Sequence, residues 1–415
     1  MSENTPRKTV LVAGSLDTKG REFEFVARLL EQYGLEVLLV DFGVLGAPAL
    51  KACVSNREVA AAGGADLDRL RAAKDKAEAM RVMQSGLVRT VHRLFSSGRV
   101  HGILSMGGSG GTAIAAEAMR QLPLGLPKVL VSTVGSGDTS AYVGSRDIVI
   151  IPSVVDVAGI NRISRLVFTN AAAALAGMVL APDAPPAEDR PLVCASMFGN
   201  TTACVDRARV ALENHGYEVL VFHATGSGGR TMQSLIADGH IAGVLDITTT
   251  ELADEVCGGV FSAGTDRVRI GASGQVPFVL APGCVDMCNF GARDSVPQQY
   301  QHRLLYEWNP NVTLMRTNVE ENSRIGAMLA ETANLCAGPV AVLFPLKGVS
   351  MLDSPGNPFW NPEADAACLE ALRHALRPDI PLSELDWNIN DAEFADRAAP
   401  ALLSMLNQEA QRAES

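Results

Sequence analysis

Aromatic residues are scarce, at 5% of the chain, and no basic run interleaves with them. That shortage argues against an all-β core and, with a formal net charge of −11, against a dedicated nucleic-acid surface. Nor does any segment reach the roughly 20 uncharged apolar residues that span a bilayer. The nearest approach, Ala171 to Ala181, reads as a packed helix. The opening MSENTPRKTVLVAGSLDTKG lacks a signal-peptide core, its apolar part being a short strand-like TVLVAG. Neither a membrane nor nucleic acid is therefore expected as a partner, and a cytoplasmic location is. The 8 cysteines are scattered and, without a secretory signal, read as reduced thiols. Cys284 and Cys288 form a CxxxC with no second pair, short of the ligand set of a structural zinc site. Missing too are the lysine of a Walker A loop, a GxSxG elbow and an HExxH pair.

What remains is a chain of 415 residues, long enough for two cores, with 47% apolar and 20% charged residues. Strand-like runs recur at Thr9–Ala13, Leu35–Val40, Gly102–Ser105, Lys128–Ser132 and Asp147–Ile151, alternating with helical patterns at Glu22–Tyr33, Leu87–Ser97 and Thr112–Gln121. Such alternation predicts a parallel sheet covered on both faces. The proline-rich Ala181–Pro191 reads as a linker, after which the pattern restarts. TVLVAGSLDT, REFEFVARLLEQYG and LEVLLVDFG are echoed by PLVCASMFGN, CVDRARVALENHG and YEVLVFHATG. HGILSMGG is matched by IAGVLDIT, and KVLVSTVGSGD by PFVLAPGCVD. The first half carries an extra segment, Val44 to Arg81, read as an insertion with at least one helix. The expected fold is α/β: two Rossmann-like doubly wound parallel-sheet domains, residues 1–183 and 184–415, related by an internal repeat and sharing a cleft at their strand C-termini.

The sharpest local signal is Ser105-Met106-Gly107-Gly108-Ser109-Gly110-Gly111-Thr112, which follows a buried strand and opens a helix. Glycines let the backbone approach an anion, and a helix N-terminus supplies free N–H groups. The alternative is a tight turn whose glycines serve positive φ. A second loop, carrying Gly135, Ser136, Gly137, Asp138 and Thr139, follows the next strand; Asp138 either holds Mg²⁺ through water or caps the turn. After the first strand, Lys19 offers a phosphate counter-charge and Asp17 a metal or hydroxyl contact. Asp41 ends the second strand, where such folds place a carboxylate against a ribose hydroxyl, or else it is a solvated strand-end acid.

In the second half, polar sets follow apolar strands at Asp246–Glu251, Gly283–Met287, Arg293, Leu314–Asn322 and Lys347–Ser350. Their carboxylates, with Arg316 and Lys347, either bind a second substrate and do acid–base work or form an ion-pair network locking two domains. His223, at a strand end, is the best catalytic candidate among the histidines, with His101 and His240 read as structural. Cys284 is either a nucleophile or, more in keeping with cysteine behaviour, a buried thiol.

The strings MGGSGGT, VSTVGSGDTSAYVGSRDIVIIPSVVDVAGINRISR, VFHATGSGGR, DITTTELAD, TLMRTNVEEN and INDAEFA, in this order, resemble the ATP-binding amino-terminal domain of the tomato mosaic virus resistance protein and its bacterial relatives. The resemblance runs from the first strand to about Leu406. It implies two Rossmann-like subdomains, a homodimer, and ATP bound with Mg²⁺. By motif match it places the nucleotide on Gly107, Gly108, Ser109, Gly110, Gly111 and Thr112, and extends to Gly135, Ser136, Gly137, Asp138 and Thr139. The expected function is binding of ATP or another phosphate-bearing small molecule, as an enzyme of small-molecule metabolism with its site in the interdomain cleft. The alternative is a non-catalytic nucleotide-sensing or partner-binding module.

Overall fold

The computed structural model describes residues 7–182 and 189–414. The chain forms two compact units that divide between residues 185 and 186. Most of the proline-rich stretch read as a linker, residues 183–188, lies outside the described residues.

The amino-terminal unit holds β1 (Thr9–Gly14), α1 (Leu16–Gln32), β2 (Glu36–Asp41), α2 (Asn56–Ala62), α3 (Leu67–Ala73), α4 (Lys76–Ser96), β3 (Ile103–Gly107), α5 (Ser109–Arg120), β4 (Lys128–Ser132), α6 (Ser140–Val143), β5 (Val149–Pro152) and α7 (Arg162–Leu180). Its strands form one sheet in the order β2-β1-β3-β4-β5, every pair parallel. Alternation decides which core each residue enters. Val10 and Val12 of β1 pack with Phe23, Val26, Phe168 and Leu175 from α1 and α7. Leu11 and Ala13, pointing the other way, pack with Leu87, Val91, Ala115 and Met119 from α4 and α5. A strand buried on both faces must be apolar throughout, which is why β1 shows no polar alternation. Each large aliphatic side chain so buried contributes on the order of 1.5–3 kcal/mol.

The helices start earlier than their apolar periodicity suggests, at Leu16, Lys76 and Ser109 rather than Glu22, Leu87 and Thr112. Their polar first turns carry little hydrophobic signal. Lys19 departs from helical geometry inside α1 (φ −128°, ψ 24°), a kink that hides the first turn further. The inserted segment holds α2, α3 and the start of α4. Helix α7, of 19 residues, is long and apolar enough to cross a membrane on composition alone, yet Phe168, Ala171, Ala172, Leu175, Ala176 and Val179 are buried against its own sheet.

The carboxy-terminal unit runs β6 (Leu192–Met197), α8 (Thr202–Glu213), β7 (Glu218–His223), α9 (Ser227–Ala237), β8 (Ile241–Thr248), α10 (Thr250–Cys257), β9 (Phe278–Gly283), β10 (Met287–Phe290), β11 (Leu305–Asn309), β12 (Val312–Arg316), α11 (Val319–Asn334), β13 (Val340–Pro345), α12 (Pro362–Ala375), β14 (Leu382–Leu385) and α13 (Ala392–Glu414). Its main sheet is again parallel, in the order β14-β13-β9-β8-β6-β7. The run β7-β6-β8-β9 repeats β2-β1-β3-β4 of the first unit, so the sequence echo is an echo of topology. The second unit adds β14 and an antiparallel sheet, β10-β12-β11, inserted between β9 and β13. The fold class is therefore α/β, with two parallel-sheet domains.

Candidate functional site

In a 2-1-3-4-5 sheet the connection leaving β1 runs toward β2, while β3 lies on the other side of β1. The strand C-termini at that switch open a crevice. A cavity of about 760 Å³ occupies this position in the amino-terminal unit. The loop after β1 supplies Asp17 and Lys19, and the loop after β3 supplies Gly108, Ser109, Gly110 and Gly111. Two of the three loops singled out in the sequence thus meet at one place.

Four glycines in the β3–α5 loop invite the tight-turn reading, and the backbone rejects it. Positive φ occurs at many glycines of the chain, but at none of Gly107, Gly108, Gly110 and Gly111. Crowding explains only Gly107, where a Cβ would lie 3.2 Å from the Cα of Gly111. At Gly110 it would meet Met80 Cε at an ordinary 3.4 Å, and at Gly108 and Gly111 nothing nearer than 3.8 Å. What these glycines do is leave the cavity floor bare. Helix α5 starts there with no side-chain cap and no acidic residue in its first turn, so its N–H groups face the cavity electrostatically uncompensated. Thr112 lies beneath, fully buried, its Oγ1 2.6 Å from Ser132 Oγ; it fixes the loop and does not line the cavity.

The opposite wall is the insertion. Val44, Leu45, Leu70, Ala79 and Met80 form an apolar side, and Arg71, Lys74 and Lys76 stand around it. Asp17 and Arg71 hold this wall from both sides. Asp17 Oδ2 accepts the N–H groups of Leu45 (2.7 Å) and Gly46 (3.0 Å), while Arg71 donates to the carbonyls of Val44 (2.7 Å) and Gly46 (2.6 Å). Asp17 Oδ1 is buried with no hydrogen-bond partner. Lys19 Nζ donates to the Val157 carbonyl, so part of its charge is spent tethering the loop before α7.

Three sequence expectations are revised by the geometry. Asp41 is no solvated strand-end acid and does not line the cavity. It is fully buried, and its Oδ1 accepts the N–H groups of Leu16 (3.0 Å) and Gly43 (2.8 Å), capping α1 from the neighbouring strand. Burial pushes its carboxyl up, against the pull of those two N–H groups. Gly135, Ser136, Gly137, Asp138 and Thr139 are not brought to the cavity either. The N–H groups of Gly135 and Gly137 close turns onto Ser132 and Val134, and a Cβ at Gly135 would press on Pro152 at 3.0 Å. Asp138 accepts the Ser140 N–H at 2.9 Å, the turn-capping alternative, and that hydrogen bonding holds its carboxyl below the usual range. Thr133 and Ser136 instead line a separate hollow of about 380 Å³ beside Pro152–Asp156.

The second unit repeats the strands without the cradle. The position matching MGGSGGT is Thr248-Thr249-Thr250-Glu251, with an acid in the first turn of α10. Glu251 Oε1 accepts the N–H groups of Gly226 (2.7 Å) and Gly229 (3.0 Å) at the start of α9, so the glycine run of VFHATGSGGR already holds an internal carboxylate. Arg267 joins Glu251 (2.7 Å) to Asp246 (2.8 Å), all three essentially inaccessible. Arg316 is likewise buried, between Asp365 (2.8 Å) and Asp353 (3.4 Å). These are ion-pair networks inside one unit, not groups facing a substrate. Lys347 is exposed and paired with Asp386 at 2.9 Å. Cys284 is fully buried, and burial pushes its thiol well up, which argues against a nucleophile. His223 ends β7, exposed. All cysteines are free, and among the described residues no group of three or more His, Cys, Asp or Glu is placed to hold a metal.

Comparison with known proteins covers both units. Residues 8–184 match the model of the uncharacterised protein family (UPF0261) N-terminal domain, and residues 190–406 that of its C-terminal domain. A UPF0261 protein of Clostridium tetani is 46% identical over 97% of this chain and all of its own length. One from Mesorhizobium japonicum is 43% identical over 95% of this chain and 98% of its own. The ToMV resistance protein Tm-1(GCR237) of Solanum lycopersicum is 44% identical over 73% of this chain, a match that takes in 41% of the plant protein. With both of its domain models matched along nearly the whole chain, this protein belongs to the UPF0261 family.

Proposed function

We propose that the amino-terminal unit binds ATP, or a closely related phosphate-bearing ligand, in the cavity at the β1/β3 switch point. The observation that carries this is the bare β3–α5 loop, whose glycines at 108, 110 and 111 answer neither a backbone nor a packing demand. In this reading the N–H groups at the start of α5 take the phosphates, Lys74 and Lys76 supply counter-charge, and the Leu70–Met80 wall takes the apolar part of the ligand. Mg²⁺ keeps several waters and needs only one or two carboxylates besides phosphate oxygens. Asp17, with its partnerless Oδ1, fits that role, and Asp138 does not.

The lining favours binding over turnover. It holds no histidine, cysteine or tyrosine, and its acids Asp17 and Asp75 already accept backbone N–H groups. The non-catalytic, nucleotide-sensing reading is therefore the one we carry forward. Calorimetric titration of the full chain with ATP, with and without Mg²⁺, tests it. Binding that Gly110→Asp abolishes supports the proposal, and no binding by the native protein refutes it.

The homodimer implied by the resemblance is part of this reading. Ile163 and Leu166 share the outward face of α7 with Asn170, Ala174 and Gly177, and at 42% and 60% exposure they form an uncovered apolar stripe on which a second copy would pack.

A further inference from the structure

A second cavity, of about 740 Å³, lies within the carboxy-terminal unit, and its chemistry differs from the first. Asn200 at the start of α8, Ser354 and Asn357 after β13, and Asn388 and Asn390 before α13 all line it. Lys347, the cation of the lining, is held by Asp386, and Asp391 accepts the Asn388 N–H at 2.8 Å. The lining thus sets these amides and hydroxyls among apolar Ala203, Met351 and Pro355, with one cation and one carboxylate that each already hold a partner.

Two of those amides are incompletely used. Asn200 is only 1% exposed; its Nδ2 donates to Met287 Sδ at 3.4 Å and its backbone carbonyl accepts from both Met351 N and Asn390 Nδ2, while its Oδ1 has no partner. Asn390 Oδ1 is buried and unpartnered as well. A buried amide oxygen without a donor costs about 1–3 kcal/mol, a cost relieved when a ligand supplies the missing hydroxyl. Asn388, by contrast, is saturated by the carbonyls of Lys347, Ser350 and Asp353, and so fixes the loops around the opening. At the rim stands an exposed indole: a Cβ on Gly199 would lie 3.8 Å from Trp308 Cζ2.

We infer that this cavity is a binding site for a neutral polyhydroxylated molecule, the ring or chain of a sugar or polyol. Amides that both donate and accept suit vicinal hydroxyls, each of which does the same. Trp308 offers the apolar C–H face of such a molecule a flat partner. The one cation of the lining, Lys347, is paired with Asp386 and offset by the Asp391 carboxylate, which argues against a phosphorylated ligand here. Nothing in this inference rests on the phosphate cavity, which shares no residue with it.

The hydroxyls would come from a free sugar or polyol, or from the ribose of a nucleoside. Saturation-transfer NMR on the full chain separates the two, with ribose, glucose, mannose, ribitol, sorbitol and adenosine as probes at millimolar concentration. The expected result is transfer to the C–H protons of at least one probe. It should weaken at least about tenfold in both Asn390→Ala and Trp308→Ala, checked for native circular dichroism, and persist in Gly110→Asp. Transfer to adenosine alone, on its ribose protons and with that same pattern, assigns the nucleoside. No transfer to any probe overturns the inference. So does transfer that survives Asn390→Ala and Trp308→Ala, or transfer lost only in Gly110→Asp, which would put the ligand in the amino-terminal unit.

Discussion

Removing one carboxyl should make the carboxy-terminal unit less sensitive to alkali. Asp286, Asp353 and Asp365 crowd around the single guanidinium of Arg316, all buried. One positive charge cannot hold three ionised neighbours in that setting. Burial first, and then the charge of Asp353, pushes Asp365 up to about 8, and burial pushes Asp286 up to about 7. Asp353 and Asp365 both face Arg316, so a proton held by one relieves the charge felt by the other. A carboxyl raised above its ordinary 3.8 stabilises the fold fully below that value, and the contribution is lost as pH climbs to the folded pKa. At about 1.4 kcal/mol per unit, Asp365 alone removes about 2 kcal/mol between pH 6 and pH 8. Asp365→Asn keeps an oxygen for Arg316 but has nothing to titrate. All 3 tryptophans, Trp308, Trp360 and Trp387, lie in this unit, so their fluorescence reports its unfolding separately. Urea melts followed by that signal should show native stability falling from pH 6 to pH 8, and the variant falling by about 2 kcal/mol less. A native midpoint that is level or rises over this range, or a variant whose decline parallels the native one, would refute the reasoning.

Arg267→Met should cost the same unit about 3–5 kcal/mol by the tryptophan melt, because it strands Asp246 and Glu251 as buried, unpaired carboxylates. In the amino-terminal unit, Asp17→Asn should weaken calorimetric ATP affinity by at least about tenfold, roughly 1.4 kcal/mol, and blunt its Mg²⁺ dependence. Asp138→Ala should leave that affinity unchanged, since the carboxylate only caps the turn at Ser140. Leu166→Lys should shift the sedimentation coefficient from dimer to monomer without changing ATP affinity.

The strands were legible because a parallel sheet buried on both faces imposes continuous apolar runs, and those runs repeat in the same order in both halves. The MGGSGGT loop was legible because glycine is conspicuous. The cavity's other wall was not. Lys74 and Lys76 reach it only because α3 and α4 fold the inserted segment back over the strand ends, and charge in an insertion looks like ordinary solvated surface. Asp41 misled for a related reason: a strand-end acid that caps a neighbouring helix has the same local sequence as one that waits for a ribose. The asparagine cavity leaves no motif, since Asn200, Asn357 and Asn390 are far apart in the chain and asparagine is common in turns.

The internal repeat also bears on why the two units would differ in ligand. Duplicated sheets place equivalent loops at equivalent strand ends, so both inherit helix N-termini able to attract an anion. In the first unit the α5 terminus stays bare. In the second, the equivalent helix α10 carries Glu251 in its own first turn, and that carboxylate, held by Arg267, also takes up N–H groups at the start of α9. A carboxylate supplied by the chain competes with any phosphate at effectively unlimited local concentration. An anion is thus disfavoured at both the α9 and α10 termini, and the open space of the second unit lies at other strand ends. The same fold then presents a helix terminus free of acids in one unit and an acid-bearing one in the other, and the substitution that separates them is a glycine-rich turn against a single glutamate.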